Sequence, residues 1–150
     1  MDFVHDQLFD GRKFRILTVV ENYSRRCHAV HCGQSLRGED VVSVIEDLKQ
    51  AAKKPLQRIQ VDNGSEFVSK TMDRWAYDNN VTLDFSRPGK PTDNPYIESF
   101  NGKLHDECLN AHWFLSLDDA EQKLNAWKKD YKHFRLHSSI EYLTPIQFEK

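Results

Sequence analysis

The stretch FRILTVV at residues 14–20 consists almost entirely of β-branched, aliphatic and aromatic residues. A run of this length and composition predicts a largely buried β-strand. Asp10-Gly11, just before it, is a hairpin turn signal and predicts an earlier strand at the very start of the chain. Asn22-Tyr23-Ser24 ends the run, and residues 26–32 follow as a third strand. The chain therefore opens with three strands joined by short turns, which we expect to pair antiparallel.

Beyond this opening, helical and strand patterns alternate. In chain order they are a helix with its apolar face over 41–52, a strand at 57–61, a helix with its apolar stripe over 68–76, a strand at 81–85, a helix starting near Pro95 with an apolar face, and a long helix from 117 with an apolar stripe. The apolar face after Pro95 consists of Ile97, Phe100 and Leu104. The stripe of the long helix consists of Leu117, Ala120, Leu124, Trp127, Tyr131 and Phe134. Strands that follow helices add in parallel by right-handed crossovers. The order predicts an α/β fold with a mixed five-stranded sheet flanked by helices, the layout of a ribonuclease-H-like fold.

Length and composition limit the class of protein. A chain of 150 residues with 39% hydrophobic and 29% charged residues suits one globular domain over residues 1–150. No apolar run approaches the roughly 18 residues that a membrane span needs, and the acidic start does not resemble a signal peptide. The net charge of −2 argues against DNA binding through bulk charge alone, although bases cluster between Lys123 and Arg135.

The three cysteines do not form a disulfide framework, which fits a reducing cytoplasm. Cys27-His28-Ala29-Val30-His31-Cys32 has the residue types of a zinc site. On a regular strand, however, Cys27 and His31 would face one way and His28 and Cys32 the other. Four ligands could not then converge on one ion, so the pattern weighs against zinc.

Three acids have a chemical interpretation. Asp2 lies on the first strand, Asp62 ends the fourth, and Glu98 lies in the first turn of a helix. The first and fourth strands would be neighbours, so their carboxylates would cluster and need a cation among them. Oxygen ligands of this type suit Mg²⁺ or Mn²⁺. Each acid also has a plain structural reading, because Asp in Asp-Asn-Gly forms turns and acids in a first helical turn favour the helix dipole.

The surrounding segments carry a resemblance. They are VDNGSEF (61–67) and SRPGKPTDNPYIESFNGKL (86–104), with 35 residues between Asp62 and Glu98. From MDFVHDQ through NYSR, GQSL, DRWAY, DECLN and HWFLS to FRLHSSI and TPIQF, the chain resembles the catalytic core of the DDE transposase and retroviral-integrase superfamily. It is most similar to the OrfB-type transposases of bacterial insertion sequences.

The resemblance implies a site and an activity. Asp2, Asp62 and Glu98 would be the catalytic residues and would hold two Mg²⁺ or Mn²⁺ ions. The activity would be hydrolysis at transposon ends and strand transfer during DNA transposition. The expected partners are transposon-end and target DNA and further copies of this chain, in the bacterial cytoplasm at the nucleoid. Candidate DNA-binding residues are Asn63, Arg87, Lys90, Thr92, Asn101, Lys103 and His105. The family usually has Lys or Arg in place of His105, and neutral His gives a weaker phosphate contact.

The start of the chain raises an alternative. Asp2 follows a single residue, so we expect a first strand cut short at its N-terminus and a weakened site. The protonated α-amino group beside Asp2 would also oppose metal binding. The chain could therefore be an inactive remnant that at most binds DNA or self-associates. A third hypothesis is a nuclease of the same fold acting on RNA–DNA hybrids or branched DNA, against which the 35-residue spacing argues.

Overall fold

The computed structural model describes residues 1–21, 27–51, 56–61, 69–85 and 95–133. Its helices and strands follow the order predicted from the sequence, with one additional π-helix. They are β1 (Asp2–Gln7), β2 (Lys13–Val20), β3 (Cys27–Gly33), α1 (Gly38–Ala51), β4 (Arg58–Val61), α2 (Lys70–Asp78), β5 (Thr82–Phe85), α3 (Pro95–Leu104), a π-helix (His105–Leu109) and α4 (Leu117–His133). The prediction of an α/β fold is confirmed.

The first three strands form an antiparallel meander in the order β1-β2-β3. β1 and β2 pair from Asp2↔Thr18 to Gln7↔Lys13. The turn between them closes with hydrogen bonds from Leu8 N to Arg12 O (2.8 Å) and from Gly11 N to Leu8 O (2.9 Å). Gly11 has φ of 90°, a conformation that glycine adopts without strain. The hairpin predicted from Asp10-Gly11 is therefore confirmed.

β3 contains a bulge that the sequence analysis did not anticipate. The pairing with β2 runs from Val19↔Ala29 to Val20↔Cys27 and skips His28. An extra residue reverses the alternation of side chains beyond it. As a result Cys27 lies in the same buried cluster against which Cys32 packs. The expectation that these two cysteines face opposite sides of the strand was wrong.

The prediction of a single mixed five-stranded sheet was also wrong. β4 and β5 pair in parallel, from Arg58↔Thr82 to Val61↔Phe85, as a separate two-stranded sheet. The α-amino group of Met1 donates a 2.9 Å hydrogen bond to Gln60 O, so the first residue of the chain adjoins β4. A ladder needs several successive residues side by side. Within the described residues, the hydrogen bond from Met1 to Gln60 does not continue as a ladder between β1 and β4.

One face of the meander packs on α3, the π-helix and α4. Phe14 and Ile16 of β2 are fully buried there, and the aromatic rings of α3 and α4 meet above them. Phe100 contacts Trp127 and Tyr131 edge-on, with ring centroids 5.3 Å and 5.0 Å apart. The predicted apolar stripe of the last helix is confirmed over its described residues. These are Leu117, Ala120, Leu124, Trp127 and Tyr131.

The opposite face packs on α1 and α2. Leu17 of β2 and Met1 share one buried cluster with Val61 of β4 and with residues of both helices. Trp75 of α2 donates from Nε1 to Glu46 Oε2 of α1 at 2.6 Å. The two sheets are thus joined by a shared apolar core, and within the described residues their strands do not pair. None of the helices in the described ranges is long and apolar enough to span a bilayer.

Candidate active site

Asp2 lies at the start of β1, on the face that carries α3. Its Oδ1 accepts a hydrogen bond of 2.8 Å from Phe3 N, and its Oδ2 accepts one of 3.0 Å from Asn101 Nδ2. Backbone and amide donors at both oxygens fix the plane of the carboxylate. The side chain is half-buried at the end of the sheet where Met1 adjoins β4. The Asp2 carboxylate is therefore fixed in orientation by hydrogen bonds, near the junction of the two sheets.

Glu98 lies in the first turn of α3 and is exposed. The helix is anchored by Ile97, Phe100 and Leu104, which are all at most 2% exposed. The apolar face predicted for this helix is therefore confirmed. Because Glu98 lies between buried Ile97 and Phe100 on a packed helix, its backbone position is fixed while its carboxylate reaches solvent.

Thr18 and Asn101 connect Asp2 to α3. The Thr18 side chain is fully buried on β2, and its hydroxyl lies 2.9 Å from Asn101 Oδ1 and 3.3 Å from Asp2 O. Asn101 was predicted to contact DNA, and that role stays a prediction. The sequence analysis did not select Thr18. The available signal was a hydroxyl residue at an inward-facing position among Phe14, Ile16 and Val20 of one strand.

The remaining predicted site residues divide into two groups. Lys103 and His105 are exposed at the end of α3 and the start of the π-helix. Their contact with DNA stays a prediction. The others lie outside the described residues, although β4 ends at Val61, directly before the first of them. They are Asp62, Asn63, Arg87, Lys90 and Thr92.

The π-helix follows α3 without interruption and is closed by a hydrogen bond of 2.9 Å from Asn110 N to His105 O. It places Cys108 in the buried cluster beneath α4. Single π turns inserted in helices are frequent at functional sites. Here the π turn begins seven residues after Glu98. It lies between the candidate site and the C-terminal end of the helix at Leu109.

The carboxylate oxygens of the described site residues are suitable ligands for a hard divalent cation. Asp2 and Glu98 offer carboxylate oxygens, which are the ligands that Mg²⁺ and Mn²⁺ prefer. Within residues 1–21, 27–51, 56–61, 69–85 and 95–133, no group of three acids, histidines or cysteines is placed to hold a metal. Asp62, the third predicted ligand, lies outside those ranges. The two described acids would thus be part of a larger ligand set.

Several groups that lie away from the candidate site have pKa values shifted by burial or hydrogen bonding. Burial raises the pKa of the Cys32 thiol to about 11, with a further contribution from Glu121. Burial likewise raises the pKa of Cys108 to about 11. The hydrogen bond from Leu115 N, followed by that from Lys123, lowers the pKa of Asp119. These groups lie in the packing around α4, so their pKa shifts reflect how the fold is packed and not the candidate site.

Two basic residues of α4, Lys123 and Lys128, have partners within the fold. Lys123 Nζ donates to Trp113 O (2.7 Å) and Asp119 Oδ2 (2.9 Å). Lys128 Nζ donates to His28 O at 3.0 Å, which covers part of the free edge of β3. A groove of about 350 Å³ lies beside this edge, between α1 and α4, and neither Asp2 nor Glu98 lines it. These two lysines therefore act in packing rather than at the candidate site.

Comparison with known proteins gives the family. One Integrase core domain profile matches residues 1–91, and a second profile of that description matches residues 79–145. The chain therefore belongs to the integrase core domain family. It is similar to proteins of bacterial insertion sequences, as the motifs predicted.

Two relatives match nearly the whole chain. A 31.7 kDa protein of insertion element IS407 from Burkholderia multivorans is 41% identical over 148 residues, which is 99% of this chain and 53% of that protein. A 39.2 kDa protein of insertion element IS476 from Xanthomonas euvesicatoria is 38% identical over 99% of this chain and 42% of that protein. The chain spans about half the length of these relatives.

Solved structures confirm the fold. The simian T-cell lymphotropic virus intasome in complex with a PP2A regulatory subunit contains a chain with TM-score 0.81 and 16% identity, over 98% of this chain and 51% of that one. The catalytic core domain of HTLV-2 integrase, solved with magnesium, gives TM-score 0.70 and 18% identity over 99% and 95%. The predicted ribonuclease-H-like layout is thus confirmed, apart from the division of its sheet.

Proposed function

We propose that this chain is the catalytic core of a DNA transposase that cuts and joins phosphodiesters with the help of Mg²⁺ or Mn²⁺. The observation that carries the proposal is the junction at the start of β1, where the two sheets adjoin. There Asp2 is held by Asn101, three residues after Glu98 on the same helix. The family and the insertion-sequence relatives support DNA as the substrate class.

Asp2, Asp62 and Glu98 would hold two ions in this proposal. Such a pair of ions stabilises the attacking and leaving oxygens of a displacement at phosphorus. In hydrolysis, water forms a new P–O bond as the bond to a 3′ oxygen breaks, and the departing oxygen leaves as a 3′-hydroxyl. In strand transfer, that 3′-hydroxyl attacks a target phosphodiester and releases a target 3′-hydroxyl. The protein contributes mainly positioning and charge stabilisation.

DNA would run along the exposed side of α3, where Lys103 and His105 reach solvent. Asn63, Arg87, Lys90, Thr92 and Asn101 complete the proposed contacts. We further propose that the chain works as a multimer on bacterial DNA in the cytoplasm. An intasome and dimeric and trimeric forms are described for the structural neighbours, which supports this part of the proposal.

A joining assay tests the proposal. Labelled duplexes with recessed, 3′-hydroxyl ends and randomised terminal bases are incubated with the chain, Mn²⁺ and supercoiled plasmid. We expect label to join the plasmid only when metal is present. Asp2→Asn and Glu98→Gln should each lower joining at least about 100-fold, because each removes a charged ligand.

Two matched variants serve as controls. Asp6→Asn changes a half-buried acid of β1 whose Oδ1 also accepts from the next backbone N–H, at 2.8 Å. Glu39→Gln changes an exposed first-turn glutamate of α1, so it reproduces the loss of a helix-dipole partner. Both should join at the wild-type rate. Joining without metal, or joining unaffected by Asp2→Asn and Glu98→Gln, would overturn the proposal. DNA binding without joining would favour the inactive remnant.

A further inference from the structure

We propose that Thr18 and Asn101 are positioning residues that act in series, Thr18 orienting the Asn101 amide and Asn101 orienting the Asp2 carboxylate toward the metal. The inference rests on the proposed function, because it concerns how that site is held. It starts from Thr18, the single polar side chain that is fully buried within the described part of the chain. A hydroxyl among aliphatic residues of a core strand is retained at a cost unless it is hydrogen-bonded.

The first link in the series is the Thr18 hydroxyl. It has one hydrogen and lies 2.9 Å from Asn101 Oδ1, against 3.3 Å from Asp2 O. The shorter contact is the better geometry for donation. Thr18 therefore donates to the carbonyl oxygen of the Asn101 amide and turns the NH₂ group away from itself.

The second link is the Asn101 amide. Its Nδ2 donates to Asp2 Oδ2 at 3.0 Å. Rotating the amide by half a turn would set its carbonyl oxygen against an ionised carboxylate, which accepts hydrogen bonds and cannot donate one. The bond from Thr18 and the charge of Asp2 thus favour the same amide orientation.

The same hydrogen bonds also fix the position of Asp2 relative to the helix that carries Glu98. Asp2 and Thr18 are cross-strand partners in the β1–β2 register. Asn101 lies three residues after Glu98, so both project from neighbouring positions on one side of α3. A series running from β2 through α3 to β1 therefore fixes Asp2 relative to the helix that carries Glu98. Partners behind metal-binding carboxylates act in this way in other proteins.

The test measures Mn²⁺ affinity of the full chain by electron paramagnetic resonance of the free ion. Thr18→Val keeps the shape and removes the hydroxyl, and should weaken binding by about 10-fold or more. Thr18→Ser keeps the hydroxyl and should restore affinity to within about twofold of wild type. Asn101→Ala should weaken binding as well. In the Asn101→Ala background, Thr18→Val should have no further effect, because Thr18 acts through Asn101.

A second readout in metal-free protein keeps this inference separate from the proposed function. The side-chain ¹⁵N–¹H₂ resonances of Asn101 should sit away from those of solvated amides in wild type and in Thr18→Ser. They should move toward the solvated position in Thr18→Val. Resonances unchanged by Thr18→Val would overturn the inference. So would Mn²⁺ affinity that is unchanged while thermal stability falls, or single effects that multiply in the double variant. A wild-type chain that binds no Mn²⁺ but shows the expected resonance shift would contradict the proposed function and support the series.

Discussion

The antiparallel meander and the parallel strand pair differ in how far their partners lie along the chain. β1 and β2 are joined by a five-residue turn and pair over six positions, whereas β4 and β5 pair over four and are separated by α2. We call β1–β3 with α3, the π-helix and α4 the meander region, and α1, β4, α2 and β5 the parallel region. The proposed site draws Asp2 and Glu98 from the meander region and includes Asp62, which follows β4 in the sequence. The two regions therefore differ in how extensively their strands pair. The proposed site depends on the contacts that hold these regions together.

Phe100→Ala should give the largest loss of stability, in the meander region. Phe100 is 2% exposed and contacts the rings of Trp127 and Tyr131. Removing a buried phenylalanine leaves a cavity and costs about 3–5 kcal/mol. Urea denaturation measures the change in free energy of unfolding. Tyr77→Ala, at an 85% exposed site on α2, is the control and should stay within about 0.5 kcal/mol of wild type. A loss of under about 1 kcal/mol for Phe100→Ala would contradict the packing of α3 on α4.

Thiol reactivity tests whether the meander region stays closed. Burial raises the pKa of Cys32 to about 11 from an ordinary 9.0, so between those values the folded protein keeps a proton that the unfolded chain loses. At pH 8 the thiolate fraction should be roughly 100-fold below that of an unfolded chain. Iodoacetamide modification followed by mass spectrometry should be slow at pH 8 and accelerate up to about pH 11. Rates equal to those in urea at pH 8 would show that β3 opens readily. The stability due to this thiol is present below pH 9 and is lost as the pH rises toward 11.

Trp75→Phe should weaken the parallel region. The change removes the 2.6 Å hydrogen bond from Trp75 Nε1 to Glu46 Oε2 and keeps an aromatic ring in the cluster. Hydrogen bonds to charged groups contribute about 1.5–3 kcal/mol, so the free energy of unfolding should fall by about that amount. Glu46→Gln keeps an acceptor oxygen and should lose less. Native-state hydrogen exchange should show the change first in β4 and β5. An equal change across β1–β3 would mean that the two regions open as one unit.

Removing a helix cap should cause the smallest loss of stability, and the loss should be similar in the two regions. Ser116 Oγ accepts from Asp119 N and Ser69 Oγ accepts from Met72 N, both at 3.1 Å. Ser→Ala at either cap should cost about 1 kcal/mol, one in each region. Ser43→Ala on the exposed face of α1 is the control, because alanine there improves helix propensity slightly. Thermal unfolding of all three variants checks this. A cap effect confined to one region would show that the other helix frays already.

Hydrophobic patterns and turn signals were sufficient to predict the described strands and α-helices. FRILTVV, the Asp10-Gly11 turn and the apolar stripe of α4 each carry a local signal, and the structure has the corresponding elements in place. The division of the sheet was not predictable, because strand order was inferred from topology while pairing depends on how far β1 overlaps β4. The bulge at His28 and the π-helix each depend on one residue inserted into a regular pattern. Residue types alone do not mark such insertions.

The candidate site was predicted in residue types but not in contacts. Asp2 and Glu98 follow from the motifs, and the structure adds the hydrogen bonds between Asp2, Asn101 and Thr18. Asn101 looked like a DNA contact because it lies near Glu98 on a helix. Its bond to Asp2 joins residues 99 positions apart, which no sequence period expresses. Thr18 carried the weaker signal of a polar residue at an inward-facing strand position.

Anomalous scattering from crystals of the chain soaked in Mn²⁺ tests the central claim most directly. The account predicts a peak at coordination distance, about 2.2 Å, from a carboxylate oxygen of Asp2, with Glu98 turned toward the same peak. Asn101 should still donate to Asp2 in that structure. No peak beside Asp2 at millimolar Mn²⁺, with the bond to Asn101 intact and the side chain ordered, would contradict metal-dependent catalysis by this chain.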